Sequence, residues 1–366
     1  MENGRGEAEE GYDRAKEVKQ FDDSKIGVKG LIDSGITSIP RFFVHPPHSL
    51  PATATTNPPP PPGSNLIPNI DLSGFDSDRR SIIVDQIRDA ASSLGFFQVT
   101  NHGIPSQVLD RTVAAIKAFN EQPTEIKAIH YSREMGRSVS FFSNFDIYRS
   151  KAATWRDTIT LRWGPNLEIG EIPEICRSEF VEWDRQVQRL GETLMELLSE
   201  GLGVERGKLK ALTCNEGKTM VAHYYPFCPQ PDLTLGIDSH TDPAALTVLL
   251  QDQIGGLQVK KGEHWVDVQP VRDALVINIG DLLQIISNDG YSSVEHRVLA
   301  NHLHQPRISI ATFFNPSKRE DFHGPLPELI SLDKPPLYRS FTLAEFFTRF
   351  FTKELGSKSQ ISYFQL

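Results

Sequence analysis

The sequence predicts a mixed α/β (α+β) protein, with helices dominating its first half and a β sandwich or barrel in its second half. Two observations support this fold class. Apolar residues recur at helical spacing in several segments between Arg79 and Leu198. After Asn215 the pattern changes to short apolar runs separated by turn residues, which is typical of an all-β sandwich or barrel.

The N-terminal residues 1–65 are predicted to form an arm and a proline-rich linker. Residues 1–11 are polar and predicted to be disordered, and a charged helical pattern runs from Tyr12 to Ser34. Prolines are dense from Pro40 to Pro68, and the stretch Pro46–Pro62 contains five in a row. Such a run favours extended polyproline II, so we expect a surface tether between the arm and the rest of the chain.

Residues 66–215 are predicted to form a mainly helical region. Two short strands are expected, from Leu66 to Leu72 and from Phe96 to Thr100, with a helix from Arg79 to Leu94 between them. Apolar residues three and four apart predict two more helices, one containing Leu109, Val113, Ile116 and Phe119, and one running from Phe180 to Leu198.

Residues 216–317 are predicted to form the β core, and residues 318–366 a C-terminal helical segment. The expected strands are Met220–Tyr225, Leu246–Leu250, Leu257–Val259, Trp265–Val268, Leu275–Ile279, Val294–Leu299 and Arg307–Phe314. The last helix is expected from Thr342 to Glu354, with Thr342 and Glu345 as a capping box.

Composition excludes several classes of function. Hydrophobic residues make up 39% of the 366 residues, and the net charge is −9, so the chain lacks the basic surface of a nucleic-acid binder. No apolar run is long enough to span a membrane, and the N-terminus has no apolar signal segment. The three cysteines are an odd number at no metal-like spacing, which argues against a disulfide framework, so we expect a reducing, cytoplasmic setting.

The sequence Asp238-Ser239-His240-Thr241-Asp242 contains a candidate metal site. Residues two apart on an extended backbone point to the same face, so His240 and Asp242 converge, and hairpins could return His296 as a third ligand. Two histidines and one carboxylate form the facial triad of non-haem Fe(II) oxygenases. A surface turn with an unrelated histidine, and a zinc or manganese site without a redox role, remain alternatives.

The strand Arg307–Phe314 contains a candidate site for an anion. Alternation places Arg307 and Ser309 on the opposite face from Ile308 and Ile310. A buried guanidinium is costly unless it is paired, and no carboxylate of the chain occupies a matching position. We therefore expect a dicarboxylate ligand, held bidentately by Arg307 with Ser309 as an added donor.

These residues together resemble the plant iron- and 2-oxoglutarate-dependent dioxygenases. The resemblance covers about Ile67 to Tyr338, and its blocks follow the order of the family. They are Gly95-Phe96-Phe97, Asn101-His102-Gly103-Ile104, Tyr224–Pro231, His240-Thr241-Asp242, Gly255–Val259, Asn278-Ile279-Gly280-Asp281, His296 and Arg307-Ile308-Ser309. Phe21-Asp22-Asp23, Gly27–Leu31 and Ser38-Ile39-Pro40 resemble in particular the group labelled homologues of 1-aminocyclopropane-1-carboxylate oxidase, whose members modify specialised metabolites.

The resemblance implies a distorted double-stranded β-helix, or jelly-roll core, flanked by helices. It implies that His240, Asp242 and His296 bind Fe(II), and that Arg307, Ser309 and Tyr225 bind 2-oxoglutarate. Many members have Asn where this chain has His223. Because His223 and Tyr225 share a face, we include His223 among the expected cosubstrate contacts, with a packed core histidine as the alternative.

The implied activity is oxidation of a small, largely apolar metabolite, such as an alkaloid or benzoxazinoid, with O2 and 2-oxoglutarate consumed and succinate and CO2 released. Ascorbate is the expected reductant, and we expect a monomer. Four phenylalanines are candidate substrate contacts: Phe141, Phe142, Phe145 and Phe313. With Trp155 the first three form an aromatic cluster, and plain core packing is the alternative.

Two other functions remain open. An ascorbate-dependent 1-aminocyclopropane-1-carboxylate oxidase would keep a similar Arg-x-Ser pair, but the sequence from Tyr12 to Pro47 argues against it. A non-catalytic small-molecule-binding module on the same barrel should have lost a metal ligand or Arg307, and none is lost here.

Overall fold

Helices dominate the first half of the structure, a computed structural model that describes residues 12–51, 67–134, 136–212, 217–352 and 360–366. The predicted run Pro58–Pro62, Cys214 and the predicted helix end at Glu354 lie outside these residues. The helices within them are α1 (Arg14–Ser24), α2 (Gly27–Asp33), α3 (Arg80–Ser93), α4 (Ser106–Asn120), α5 (Thr124–Ala128), α6 (Glu174–Gly201), α7 (Lys208–Ala211), α8 (Asp281–Ile286) and α9 (Leu343–Thr352).

The predicted long helix is α6, which starts earlier than expected because Pro173 provides its N-terminal boundary. Its buried stripe packs against α3 and α4. At α9, the backbone N–H of Glu345 donates to Thr342 Oγ1 at 3.2 Å, as a capping box requires. The Glu345 carboxylate instead accepts from Arg339, so only half of the predicted box forms.

The strands of the described residues form three sheets. They are β1 (Asn69–Asp71), β2 (Phe96–Thr100), β3 (Val139–Phe142), β4 (Asp157–Trp163), β5 (Gly217–Tyr225), β6 (Leu235–His240), β7 (Leu246–Gln251), β8 (Leu257–Lys261), β9 (His264–Asp267), β10 (Leu275–Ile279), β11 (His296–Leu299), β12 (Arg307–Asn315), β13 (Phe322–His323) and β14 (Phe341–Thr342). The large sheet has the order β1-β2-β10-β7-β12-β5-β4-β3, the second sheet β6-β11-β8-β9, and β13 pairs with β14.

The two larger sheets confirm the predicted double-stranded β-helix core. Strands β5, β7, β10 and β12 of the large sheet come from the predicted β region, and so does the whole second sheet. Strands β3, β4 and β6 were absent from the predicted set, and so were β13 and β14, which lie in the predicted C-terminal helical segment. Strand β4 could have been found, because Thr158-Ile159-Thr160-Leu161 alternates polar and apolar residues, the mark of a half-buried strand.

The two faces of the large sheet have different roles. Met220, Ala222 and Tyr224 of β5 join Ile308 and Ile310 of β12 in the main hydrophobic core. The alternate residues of the same strands face the second sheet, and Tyr225 clusters there with Leu257, Val259 and Val298. The predicted separation of Arg307 and Ser309 from Ile308 and Ile310 is therefore present.

The N-terminal arm is docked onto the barrel. Phe42 and Phe43 are buried against Trp155, and the N–H of Ala153 donates to the carbonyl of Phe42 at 2.8 Å. The prediction of a surface tether that begins at Pro40 is therefore wrong for the part of it that contains Phe42 and Phe43. Its aromatic residues bury more apolar area than a solvated linker would allow.

Candidate active site

Three metal-ligating side chains meet where the second sheet faces the large one. His240 ends β6 and His296 begins β11, and the two residues are partners in the antiparallel pairing of these strands. Asp242 follows His240 by two residues, and its Oδ1 lies 3.6 Å from His240 Nε2 and 3.7 Å from His296 Nε2. One donor atom from each residue lies within 4.8 Å of the others, so the three can hold one metal ion.

Hydrogen bonds orient each of these side chains. The Nδ1 atoms of His240 and His296 lie 2.8 Å and 3.2 Å from the backbone carbonyls of Asp238 and Val294. A carbonyl accepts only from Nδ1–H, so each ring keeps its Nε2 lone pair free for a metal. Sequence reasoning had not identified these partners, which depend on the local path of the chain.

The carboxylate of Asp242 is held in the same way. Its Oδ2 accepts from Thr247 Oγ1 at 2.6 Å and from Asn278 Nδ2 at 2.7 Å, which leaves Oδ1 facing the imidazoles. Burial alone would raise the pKa of Asp242, but His296, His240 and these hydrogen bonds outweigh it and lower that pKa. Burial and the neighbouring His296 lower the pKa of His240 to about 4. A carboxylate and a neutral imidazole are the forms that bind a divalent metal.

Arg307 lies in a polar cradle on the interior face of the large sheet. Only 1% of its surface is exposed, and its guanidinium donates to Ser309 Oγ at 3.1 Å, to Gln251 Oε1 at 2.9 Å and to the carbonyl of Gly255. Its Cζ lies 4.9 Å from the centre of the Tyr225 ring. Among the described residues, no carboxylate comes within ion-pair distance of Arg307, in agreement with the sequence argument.

Two atoms beside this guanidinium lack partners. The Tyr225 hydroxyl and Gln251 Nε2 are buried and have no hydrogen bond within the described part of the chain. Buried polar atoms of this kind call for an explanation, and an anionic carboxylate would satisfy both atoms and the guanidinium. The residues thus fit a dicarboxylate cosubstrate. Gln251 was missed because its place beside Ser309 depends on the β7–β12 register.

His223 lies on the same interior face of the large sheet, in a row of side chains that crosses neighbouring strands. It pairs with Ser309 across β5 and β12, and its ring centre is 5.8 Å from that of Tyr225. Its Nδ1 lies 3.0 Å from the hydroxyl oxygen of Thr158, a second residue that sequence reasoning did not single out. Burial, followed by the nearby charges of Arg156 and Arg307, keeps the pKa of His223 well below its ordinary value.

The predicted aromatic contacts separate into different environments. Phe142 and Phe313 are half-buried on the interior face, where Phe142 pairs with Thr158 and Phe313 with Thr247. Phe145 is half exposed.

The position of Phe141 in the structure contradicts the prediction that this residue contacts the substrate. It faces the other side of β3, is fully buried in the main core and packs edge-on against Phe119 at 5.4 Å. Phe141 and Phe142 are neighbours in one strand, so their side chains must point in opposite directions.

Comparison with known protein families agrees with this geometry. Residues 216–316 match the model of the 2OG-Fe(II) oxygenase superfamily, and residues 67–171 match the N-terminal model described as non-haem dioxygenase in morphine synthesis. Homolog 3 of 1-aminocyclopropane-1-carboxylate oxidase from Arabidopsis thaliana is 45% identical over 361 residues, which cover 97% of this chain and 98% of that protein. The chain belongs to the 2OG-Fe(II) oxygenase superfamily.

Other proteins match most of the length of this chain. A 1-aminocyclopropane-1-carboxylate oxidase homolog from Solanum lycopersicum is 44% identical over 98% of both proteins. The crystal structure of JOX2 in complex with 2OG, Fe and JA matches with a TM-score of 0.79 and 31% identity, covering 93% of this chain and 97% of JOX2. The rice dioxygenase for auxin oxidation, at 23% identity and a TM-score of 0.69, shares the fold over 82% of this chain and all of its own.

The family assigns the chemistry in outline. This 2OG-Fe(II) oxygenase is an oxidoreductase that uses Fe(II) and 2-oxoglutarate, carries the His-x-Asp…His triad and acts on a small molecule. In the part of the chain that the structure describes, every helix is too short or too polar to cross a lipid bilayer.

Proposed function

We propose that this enzyme oxidises a small, largely apolar specialised metabolite, such as an alkaloid or a benzoxazinoid. In this proposal one O2 and one 2-oxoglutarate are consumed, and succinate and CO2 are released as the metabolite gains one oxygen atom. The observation that carries the proposal is the pairing of the His240, Asp242 and His296 cluster with an Arg307 cradle in which no carboxylate of the described residues lies within ion-pair distance of the guanidinium. A metal site that used no dicarboxylate cosubstrate would not need the Arg307 cradle.

Two groups of residues have different roles in this proposal, one in binding the metal and one in binding the cosubstrate. His240, Asp242 and His296 would hold Fe(II), and Arg307, Ser309, Tyr225 and His223 would hold 2-oxoglutarate. Bound Fe(II) and 2-oxoglutarate supply the oxidising power for attack on a C–H bond. The buried cradle keeps water away from the cosubstrate and fixes its orientation, because Arg307 is itself held by Gln251, Ser309 and the carbonyl of Gly255.

The substrate side of the site is less polar. Phe142 and Phe313 present aromatic surface to the interior, and both are half-buried. Aromatic faces suit a ring-containing, mostly apolar substrate, since stacking and burial provide the binding energy. The relative from Arabidopsis thaliana and the JOX2 complex with JA support a small organic substrate without specifying which one.

The test is a succinate-release assay on the full chain with Fe(II), ascorbate and a panel of plant alkaloids and benzoxazinoids. We expect one or more compounds to gain one oxygen by mass spectrometry, with succinate formed in equal amount. Ascorbate is proposed as the reductant that keeps the metal ferrous, so its omission should shorten the period of linear turnover. Turnover that is indifferent to 2-oxoglutarate, or ethylene formation from 1-aminocyclopropane-1-carboxylate without it, would overturn the proposal.

A further inference from the structure

Thr158 and His223 form a buried hydrogen-bonded pair on the interior wall of the barrel. They are register partners on β4 and β5, with 3% and 9% of their surfaces exposed, and Thr158 Oγ1 lies 3.0 Å from His223 Nδ1. The row continues through Ser309 on β12 to Gln251 on β7. Ser309 and Gln251 both contact the guanidinium of Arg307, so the pair adjoins the cradle directly.

The surroundings of His223 keep its ring neutral. Burial is the main cause that lowers the pKa of His223, and the neighbouring Arg156, Arg307 and His240 oppose a positive charge on the ring as well. A neutral imidazole has one nitrogen that donates and one that accepts. The Thr158 hydroxyl can donate to Nδ1 or accept from it, and only donation to Nδ1 leaves the ring proton on Nε2, available to a molecule in the cradle.

We infer that Thr158 is a positioning residue for the cosubstrate: its hydroxyl donates to Nδ1 of His223 and keeps the ring proton on Nε2. Only that tautomer gives a hydrogen-bond donor for a carboxylate. The reverse arrangement, with Nδ1–H donating to Thr158, would turn the Nε2 lone pair toward an anion. This inference rests on the proposed function in one respect, because the acceptor is a carboxylate of 2-oxoglutarate.

The chain offers matched variants for this idea. Thr158→Val keeps the shape of the side chain and removes the hydroxyl, whereas Thr158→Ser keeps the hydroxyl. Thr160 lies two residues further on the same face of β4, opposite Val221, so Thr160→Val is the control for losing a buried threonine hydroxyl on this wall. His223→Asn removes the imidazole altogether.

The first measurement needs no cosubstrate. Nitrogen-15 NMR of the imidazole rings in metal-free full-length protein distinguishes the two tautomers, with His223→Asn assigning the signal. We expect the Nε2–H tautomer in the wild type and in Thr158→Ser, and a mixture or the other tautomer in Thr158→Val. An Nδ1–H tautomer in the wild type would overturn the inference whatever the enzyme's cosubstrate.

The second measurement is the dissociation constant of 2-oxoglutarate for the Fe(II)-loaded protein, titrated without O2. One neutral hydrogen bond corresponds to about a three- to tenfold change, so we expect Thr158→Val to weaken binding by that factor. Thr158→Ser and Thr160→Val should bind as the wild type does. Thr158→Val should have no further effect in the His223→Asn background, as a double-mutant cycle requires.

These outcomes separate the inference from the proposed function. A wild type that binds no 2-oxoglutarate would refute the proposed function, and the tautomer measurement would still decide whether Thr158 sets the ring. A wild type that binds 2-oxoglutarate, together with a Thr158→Val effect that persists in the His223→Asn background, would refute the positioning role alone.

Discussion

The carboxylate of Asp157 lies directly against Gly27, so that a Cβ added at Gly27 would come within 2.6 Å of Asp157 Oδ1. Asp157 is fully buried and accepts from the N–H groups of Val28 and Lys29 at 2.7 and 2.8 Å, at the start of α2. The N-terminal arm is therefore fastened to β4, the strand that also contains Thr158.

This contact predicts that Gly27→Ala destabilises the protein more than an ordinary glycine substitution does. Gly27 has φ +71°, and Gly35 has φ +80° with nothing within 4 Å of an added Cβ, so Gly35→Ala carries the backbone strain without the clash. We expect Gly35→Ala to lower the free energy of unfolding by about 1–2 kcal/mol, and Gly27→Ala by a further 1–3 kcal/mol, roughly, from overpacking. Urea unfolding measures both, and equal losses would show that the Asp157 contact is not tight.

Asn278 is predicted to tune metal affinity although it does not touch the metal. Asn278→Ala removes one of the two hydrogen bonds that hold Oδ2 of Asp242, so the carboxylate is freer to rotate. Loss of such a partner costs about 10- to 100-fold in metal affinity. Anaerobic Fe(II) titration of the metal-free protein provides the measurement.

Asn120→Ala is the control for that experiment. Asn120 is a buried asparagine that donates to the carbonyl of Ile116 within α4, away from the metal cluster. It should lower stability and leave the Fe(II) dissociation constant unchanged. If the two variants weakened Fe(II) binding equally, the effect of Asn278→Ala would come from general destabilisation.

Gln251 is predicted to matter for the binding of 2-oxoglutarate because it contacts Arg307 without carrying a negative charge. Gln251→Glu keeps the shape but places a carboxylate beside Arg307, where it would pair with the guanidinium and repel an incoming dicarboxylate. We expect the dissociation constant of 2-oxoglutarate to rise by at least about tenfold, since a charged hydrogen bond corresponds to about 1.5–3 kcal/mol.

Gln258→Glu provides the comparison, because Gln258 bonds to Arg297 and Asp267 on the second sheet. It makes the same chemical change next to an arginine outside the cradle. Isothermal titration of 2-oxoglutarate into Mn(II)-loaded protein reports both constants. Equal weakening by the two variants would contradict a specific role for Gln251.

The parts of the site that the sequence predicted are those encoded by local spacing. His240 and Asp242 are two residues apart, and the alternation of Arg307, Ile308, Ser309 and Ile310 already separates the polar face from the core face. These patterns need no knowledge of which strands pair.

The residues that were missed depend on long-range pairing. Thr158 meets His223 across 65 residues of sequence, and Gln251 meets Arg307 across 56. Threonine and glutamine are ordinary residues for a strand, so neither carries a chemical signal of its own. The docking of the arm also depends on a distant partner, since Asp157 is 129 residues from Val28.

Phe141 and Phe313 are predicted to respond differently to truncation, which tests the corrected assignment of the aromatic residues. Phe141 is fully buried against Phe119, so Phe141→Ala should lower the free energy of unfolding by about 3–5 kcal/mol. Phe313 is half-buried on the interior face, next to Thr247 in register, so Phe313→Ala should cost less stability.

The second readout of this pair is kinetic. Phe313→Ala should raise KM for the oxidised metabolite while leaving the dissociation constant of 2-oxoglutarate within about twofold, because Phe313 lies six residues along β12 from Arg307. With strands rising about 3.3 Å per residue, that spacing places the two side chains about 20 Å apart along the strand. The rate of succinate formation that is coupled to oxidation of the metabolite should fall together with the rise in KM. If Phe141→Ala changed KM at unchanged stability, the placement of Phe141 in the core would be wrong.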